Sequence, residues 1–399
     1  MSKSDSQKII IVGAGVAGLT AALCLRKSGH DVTVLEQAPA LQDIGAGIQL
    51  SPNALHVLNA IGVCDKLESK ADIPTEVSIR DFKSGTPLLT QTMGAAFDRR
   101  YGAGYWHCHR ADLIEALFNA AQEAGIEILF NEKITTYEET PEKTPETIFV
   151  KTQSGKNFSA DLLIGADGIS STIRSTLQPN SMANFTGQIA WRGLVPTERL
   201  KTQPPEGVSI WVGLGKHFVA YRLRQASLMN FIAVEERAAW TEENWMLEGD
   251  INTLRTAFSA WDSPVQDILK ACTETYLWGL FDRPAPKTWH SCRTVIIGDA
   301  CHPILPFMAQ GAAMAIEDAY VLASSLENKT SIEDGLNLFQ QKRQNRVKNL
   351  YDISRRNAAL YHVSGIKAVA RNTLFAGARM FPPALTYQLD RVYGLNVTK

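Results

Sequence analysis

The chain opens on a short β-branched apolar run, Lys8–Val12 (KIIIV), with the length and unbroken apolarity of a buried parallel strand. A glycine-rich turn follows, then an alanine- and leucine-rich stretch to about Lys27 that predicts a helix, with Gly29 as its stop. Asp31–Leu35 (DVTVL) predicts the next strand, so the first residues form a β-turn-α-turn-β unit. Helical spacing returns across 51–70, at Leu55, Leu58, Ile61 and Leu67, and across 110–124, at Leu113, Leu117 and Ala121. Pro74–Thr92 alternates apolar and polar positions as antiparallel strands do. Thr135–Val150 sets turn residues (TPEKTPE) between two strand-like runs, a hairpin pattern. Asp161–Ile164 predicts another buried strand, running into Gly165-Ala166-Asp167-Gly168. Residues 185–235 hold several β-like runs (GQIAWRGLV, GVSIWVGL, HFVAYRL, LMNFIAV). Beyond them, 250–272 is helical in pattern, Arg293–Ile297 is a strand entering Gly298-Asp299, a helix runs from about Ala312 to Leu326, and the tail 336–399 is helix-rich.

The first turn carries chemistry. Gly13-Ala14-Gly15-Val16-Ala17-Gly18 is G-x-G-x-x-G between a predicted strand and a predicted helix. In this pattern the first glycine allows the tight turn, the second lets a pyrophosphate reach the backbone, and the third lets helix and strand pack closely. The helix N-terminus then offers unpaired N–H groups and a partial positive charge to the phosphates. Glu36, at the end of the second strand and 18 residues past Gly18, is placed to accept from ribose hydroxyls. An acid there disfavours a 2′-phosphate, so the site suits NAD or the ADP half of FAD rather than NADP.

Strand–helix units recur at the start, near 160 and near 295, with a β-rich block between. This predicts an α/β fold: a Rossmann-like FAD- or NAD-binding domain built from separated segments, an interleaved, mostly antiparallel β-sheet domain, and a helical C-terminal region. The expected boundaries are 1–73, 101–180 and 281–345 for the nucleotide-binding domain, 74–100 and 181–280 for the second domain, and 346–399 for the helical region.

Composition narrows the classes. A net charge of −1 provides no field to gather nucleic acid or a membrane surface. The six cysteines stand singly without CxxC or zinc spacing, which fits a reducing compartment and no metal. No apolar run reaches about 18 residues, so no membrane span and a cytoplasmic location are expected.

Three further segments extend the picture: Gly165-Ala166-Asp167-Gly168 followed by Ser170, Ser171 and Arg174; Gly298-Asp299-Ala300-Cys301-His302-Pro303; and Pro306-Phe307-Met308-Ala309-Gln310-Gly311-Ala312 running on to Ala319. With the opening loop they make the chain similar to the single-component FAD-dependent aromatic hydroxylases, the family of salicylate, 3-hydroxybenzoate and 6-hydroxynicotinate hydroxylases. The resemblance runs from Lys8 to about Arg346. It implies that Asp167 and Gly168 belong to a motif serving both FAD and NAD(P)H, or else form a simple turn before a helix. It implies that Asp299 accepts from the ribityl chain, and that Gly311 and Ala312 let the flavin ring approach a helix start. Arg110, in His109-Arg110-Ala111-Asp112-Leu113, would contact the middle of the flavin. Gly47, in Gly45-Ala46-Gly47-Ile48-Gln49, lies between the ADP site and the ring, and Gln49 stands where some relatives carry histidine.

The same resemblance implies a monooxygenase: NAD(P)H reduces FAD, O2 is captured as a C4a-hydroperoxyflavin, and a hydroxyl passes to a small phenolic or hydroxypyridine-type ring. The alternative is an FAD oxidase or dehydrogenase reduced directly by its substrate. A single GxGxxG and no CxxC argue against reductases with two dinucleotide sites. The candidate base is His217 or Tyr221, four residues apart on one face of a strand; packing or solvation would explain either residue as well. Arg192 and Arg222 are candidate carboxylate partners, with structural ion pairing as the other reading. Gln49, Pro306 and Met308 complete the expected substrate contacts. Cys108 and Cys301 read as small packing residues. The basic run Lys342–Arg356 reads as a solvated helix face, and the tail as packing on the domain or on a second subunit. A monomer or homodimer is expected.

Overall fold

A computed structural model describes residues 6–41, 46–140, 147–179, 182–202, 205–240, 247–327 and 329–399, with backbone alone for 382–385. Gly45 and the turn residues 141–146 lie outside them.

Five strands form an all-parallel sheet in the order Thr294–Ile296, Leu162–Gly165, Lys8–Val12, Asp31–Leu35, Glu127–Leu129. Four of its strands, all but Glu127–Leu129, come from the segments read as strand–helix units. Ile9, Ile10 and Ile11 are buried in its centre, which is why that strand carries no polar alternation. The helices Val16–Lys27, Arg110–Glu123 and Gly311–Leu326 pack with this sheet in one core. The Ile134–Thr140 and Thr147–Thr152 strands pair as the expected hairpin.

The second sheet has eight strands, in the order Leu247–Glu248, Tyr276–Asp282, Asn184–Pro196, Leu228–Glu236, Lys216–Leu223, Val208–Gly213, Glu76–Asp81, Pro87–Thr92. All its pairings are antiparallel except Val208–Gly213 with Glu76–Asp81. One face packs on Ile251–Ala257 and Ser263–Ala271 through a core that includes Trp191, Trp211 and Phe231. The single helix read over 250–272 is therefore two. Asp262 caps the second, accepting from Ser263 N–H, and Pro264 opens it.

The other face turns toward the parallel-sheet core and the C-terminal helices. Ile332–His362 is a 31-residue helix. Gly365–Met380 and Pro382–Tyr393 follow, the first packing on the Pro87–Thr92 strand. Ile366, Met380 and Phe381 stay exposed on them. No helix among the described residues is long and apolar enough to cross a membrane.

Candidate active site

The phosphate loop has the geometry its glycines require. Gly13 has φ +105°, and a Cβ there would stand 2.5 Å from the Ala166 carbonyl oxygen. A Cβ on Gly18 would stand 1.9 Å from the Gly13 carbonyl oxygen, so helix and turn meet backbone to backbone. At Gly15 a Cβ would meet nothing within 4 Å, leaving the backbone open at the N-cap of Val16–Lys27. Glu36 follows the second strand and accepts from Ala14 N–H at 2.7 Å and Ala38 N–H at 2.8 Å.

The separated motifs converge beside this loop. Asp167 accepts from Ser171 Oγ at 2.5 Å and Thr172 N–H at 2.7 Å, so its carboxylate fastens the start of Thr172–Leu177, while Gly168 takes φ +74°. Arg174, buried in that helix, donates to the Ala300 carbonyl at 3.1 Å and ties the Gly165–Gly168 segment to the Gly298–Pro303 segment. Asp299 is exposed, yet protein crowds round it and pushes its carboxyl above the ordinary range, an effect the Arg110 charge opposes. Burial in turn pulls Arg110 down, and Asp299 counteracts it. Gly47 N–H donates to Asn230 Oδ1 at 2.8 Å. Asn230 Nδ2 is fully buried with no partner among the described residues.

A buried ionic cluster fixes the helix that begins at Gly311. Asp318 accepts from Gly298 N–H at 2.9 Å, meets His302 Nε2 at 2.6 Å and pairs with Arg343 at 2.7 Å. Glu317 pairs with Arg343 and Arg346 and accepts from Asn53 Nδ2 at 2.6 Å. Burial alone would raise the Asp318 carboxyl; the His302 and Arg343 charges outweigh it and hold it at about 2. His302 therefore serves this cluster. The basic run does not form a solvated face throughout: Arg343 is 1% exposed, because the two adjacent carboxylates on the neighbouring helix need a buried counter-charge. Gln310 donates to Ser51 Oγ at 2.9 Å and accepts from Asn53 at 3.1 Å, linking the helix start to the segment carrying Gln49.

Beside these segments lies a cavity of about 200 Å³. His217, Gln49, Pro306 and Met308 line it together. His217 is buried, and its Nδ1 lies 2.8 Å from His362 Nε2. His362 Nδ1 in turn lies 3.2 Å from Glu236 Oε1 and from Gln188 Nε2. Burial drives the His217 imidazole well below its ordinary value, and His362 adds to the effect, so His217 is neutral. Nε2 is the nitrogen left for a molecule in the cavity. Gln49 accepts from Tyr105 Oη at 2.6 Å.

Two other candidate residues stand back from the wall. Tyr221 shares the His217 face of the strand but is buried against Gly47, where a Cβ would stand 2.5 Å from its hydroxyl. Burial raises its phenol far above neutrality, so it keeps its proton. Arg192 lies on the same sheet face two strands away, its guanidinium over Tyr276 at 5.1 Å and Trp278 at 5.7 Å. The sequence reading missed His362, Asn230 and the part of the wall formed by Phe375, Leu389 and Val392. Nothing local in the sequence links the tail to residue 217. Cys108 and Cys301 are buried with thiols raised by burial, as packing residues are. No group of side chains suited to a metal occurs among the described residues.

A glycine loop open at Gly15, an acid after the second strand, an exposed Asp299 and an unpartnered buried amide at Asn230 fit a dinucleotide running from the loop to the cavity edge. This defines a dinucleotide-binding flavoprotein. The FAD binding domain family matches residues 6–354, and the chain belongs to it. It is 34% identical over 360 residues to 3-amino-4-hydroxybenzoate 2-monooxygenase PtnB3 of Streptomyces platensis, covering 89% of each chain. It is 32% identical over 396 residues to 3-hydroxybenzoate 6-hydroxylase of Polaromonas naphthalenivorans, covering 98% of this chain and 96% of that one. Klebsiella pneumoniae HpxO, solved with FAD and uric acid, superposes with a TM-score of 0.81 at 27% identity, over 94% of this chain and 92% of that one. The protein is an FAD-dependent flavoprotein monooxygenase of the aromatic hydroxylase family.

Proposed function

We propose that this monooxygenase hydroxylates a small phenolic or hydroxypyridine-type ring, with NADH or NADPH as electron donor and O2 as co-substrate. The observation that carries the reading is a neutral, buried His217 in the wall of an otherwise largely apolar cavity, beside the segment that leads to Gly311. Bound FAD supplies the hydride acceptor and the activation of oxygen. Gly13, Gly15, Gly18 and Glu36 would hold its ADP half, and Gly47, Arg110, Asp167, Gly168, Asp299, Gly311 and Ala312 would line the rest.

On this reading the substrate hydroxyl meets His217 Nε2. Losing its proton makes the ring electron-rich, and a neutral imidazole within reach is the group to take it. For Nε2 to be the acceptor, Nδ1 must carry the hydrogen and donate to His362 Nε2, which fixes the tautomer. Tyr221, which keeps its proton, accepts from the Gln49 amide and so acts as a positioning residue. Pro306 and Met308 hold the ring against the flavin side.

The test follows NADH and NADPH oxidation by the purified yellow protein, with oxygen uptake, across a panel of phenols and hydroxypyridines. A many-fold acceleration with a hydroxylated product is expected. The reading fails if no aromatic accelerates oxidation and an amine or hydroxy acid bleaches the flavin without NAD(P)H.

A further inference from the structure

We infer that the ring this cavity takes is uncharged: a phenol bearing an apolar substituent and no carboxylate. The inference rests on the hydroxylase reading above and narrows it.

Among the described residues, no Lys, Arg, Asp or Glu lines the cavity. Its polar wall groups are neutral amides, tyrosines and the neutral His217. The cations near it are committed elsewhere. Arg371, one turn before the lining residue Phe375, donates to Asn372 Oδ1 at 2.9 Å and to the Tyr361 carbonyl at 3.5 Å. Arg192 lies over Tyr276 and Trp278, outside the lining. Arg110 faces Asp299. A carboxylate entering here would lose its water and gain no counter-charge, which is the costly way to bury an ion.

The register of the sheet shows what the cavity favours instead. Val219, Ile210, Ile79 and Leu89 are successive cross-strand partners on four neighbouring strands, and all four line the cavity. They form one apolar row about 14 Å long, three inter-strand spacings. Phe375, Leu389 and Val392 close over it from the C-terminal helices. His217 stands at one end of this row, two residues before Val219 on the same strand face. A ring whose hydroxyl meets His217 therefore has apolar surface extending away from it. A phenol that passes its proton to His217 also keeps the cavity neutral as a whole, which a carboxylated ring would not.

The experiment titrates the FAD-loaded enzyme with matched pairs: 3-hydroxybenzoate against its methyl ester, and 4-hydroxybenzoate against 4-propylphenol. Perturbation of the flavin spectrum gives each Kd, and NADH oxidation with product analysis gives turnover. The neutral member of each pair is expected to bind on the order of 100-fold tighter or more, given the penalty for an unpaired buried charge, and to be the one hydroxylated. A difference under about tenfold, one step of 1.4 kcal/mol, or a preference for the acid with hydroxylation of it, overturns the inference and leaves the hydroxylase reading standing. If no member of either pair perturbs the flavin or accelerates oxidation, the inference falls, while the hydroxylase reading is decided by the wider panel of phenols and hydroxypyridines.

Discussion

His217 presents its two ring nitrogens to different neighbours, one to His362 and the other to the cavity. That division sets what each substitution does. His217→Asn keeps a polar group of similar size but no base. Turnover should drop by about 10²–10⁴-fold, the usual worth of a positioned base, with the flavin absorbance per protein unchanged. A loss of flavin instead would make the residue structural. In the variant the residual rate should rise with pH as the substrate ionises in solution. The parent should show no such rise from His217 between pH 6 and 8, because its folded value lies well below that interval. Tyr221→Phe should raise KM more than it lowers kcat and leave the pH profile in place, since a phenol held protonated does not titrate near neutrality. A shifted pH profile would return Tyr221 to the role of base.

At the level of elements, legibility followed sequence distance. The unit from Lys8 to Leu35 was readable because its signals are local: an apolar run, three glycines at fixed spacing, a second run and an acid. Gly18→Ala should therefore act locally too, driving the helix from the turn at the 1.9 Å approach and lowering retained flavin sharply, measured as flavin absorbance after gel filtration. The ionic cluster was not readable. Glu317, Asp318, Arg343 and Arg346 lie on two helices, and a basic run looks the same in sequence whether its charges face water or buried acids. Arg343→Met leaves two buried carboxylates without their shared partner. A loss of about 3–5 kcal/mol is expected, seen as a lowered Tm together with weaker flavin retention. An unchanged Tm would mean that the pairs contribute nothing net. The break in the 250–272 helix was legible in principle, from Asp262 and Pro264.

Over the whole molecule, the cavity depends on segments far apart in the chain. Its floor comes from residues 77–91 and 208–219, and much of its cover from residues 353–393. Periodicity gave each element but not this meeting, because the faces concerned are apolar in the same way as faces that merely pack. The folded chain also holds histidines that burial keeps neutral. His107, fully buried with Nε2 unpartnered, is lowered from 6.5 to about 3. The unfolded chain takes up that proton first, so stability falls as pH drops from 6.5 toward 3. Between pH 6.5 and 5 this amounts to roughly 2 kcal/mol. His107→Phe should flatten the decline of Tm over that range; an unaltered slope would assign it to other groups.

Chain order carries one more consequence. Every strand of the parallel sheet, and the glycine loop itself, precedes Gly298, whereas the helices that cover the cavity begin at Ile332. Synthesis runs from the N-terminus, so the glycine loop and its sheet leave the ribosome before the helices that cover the cavity. The dinucleotide fold can thus take shape first, and the later helices from Ile332 onward then enclose the space beside it.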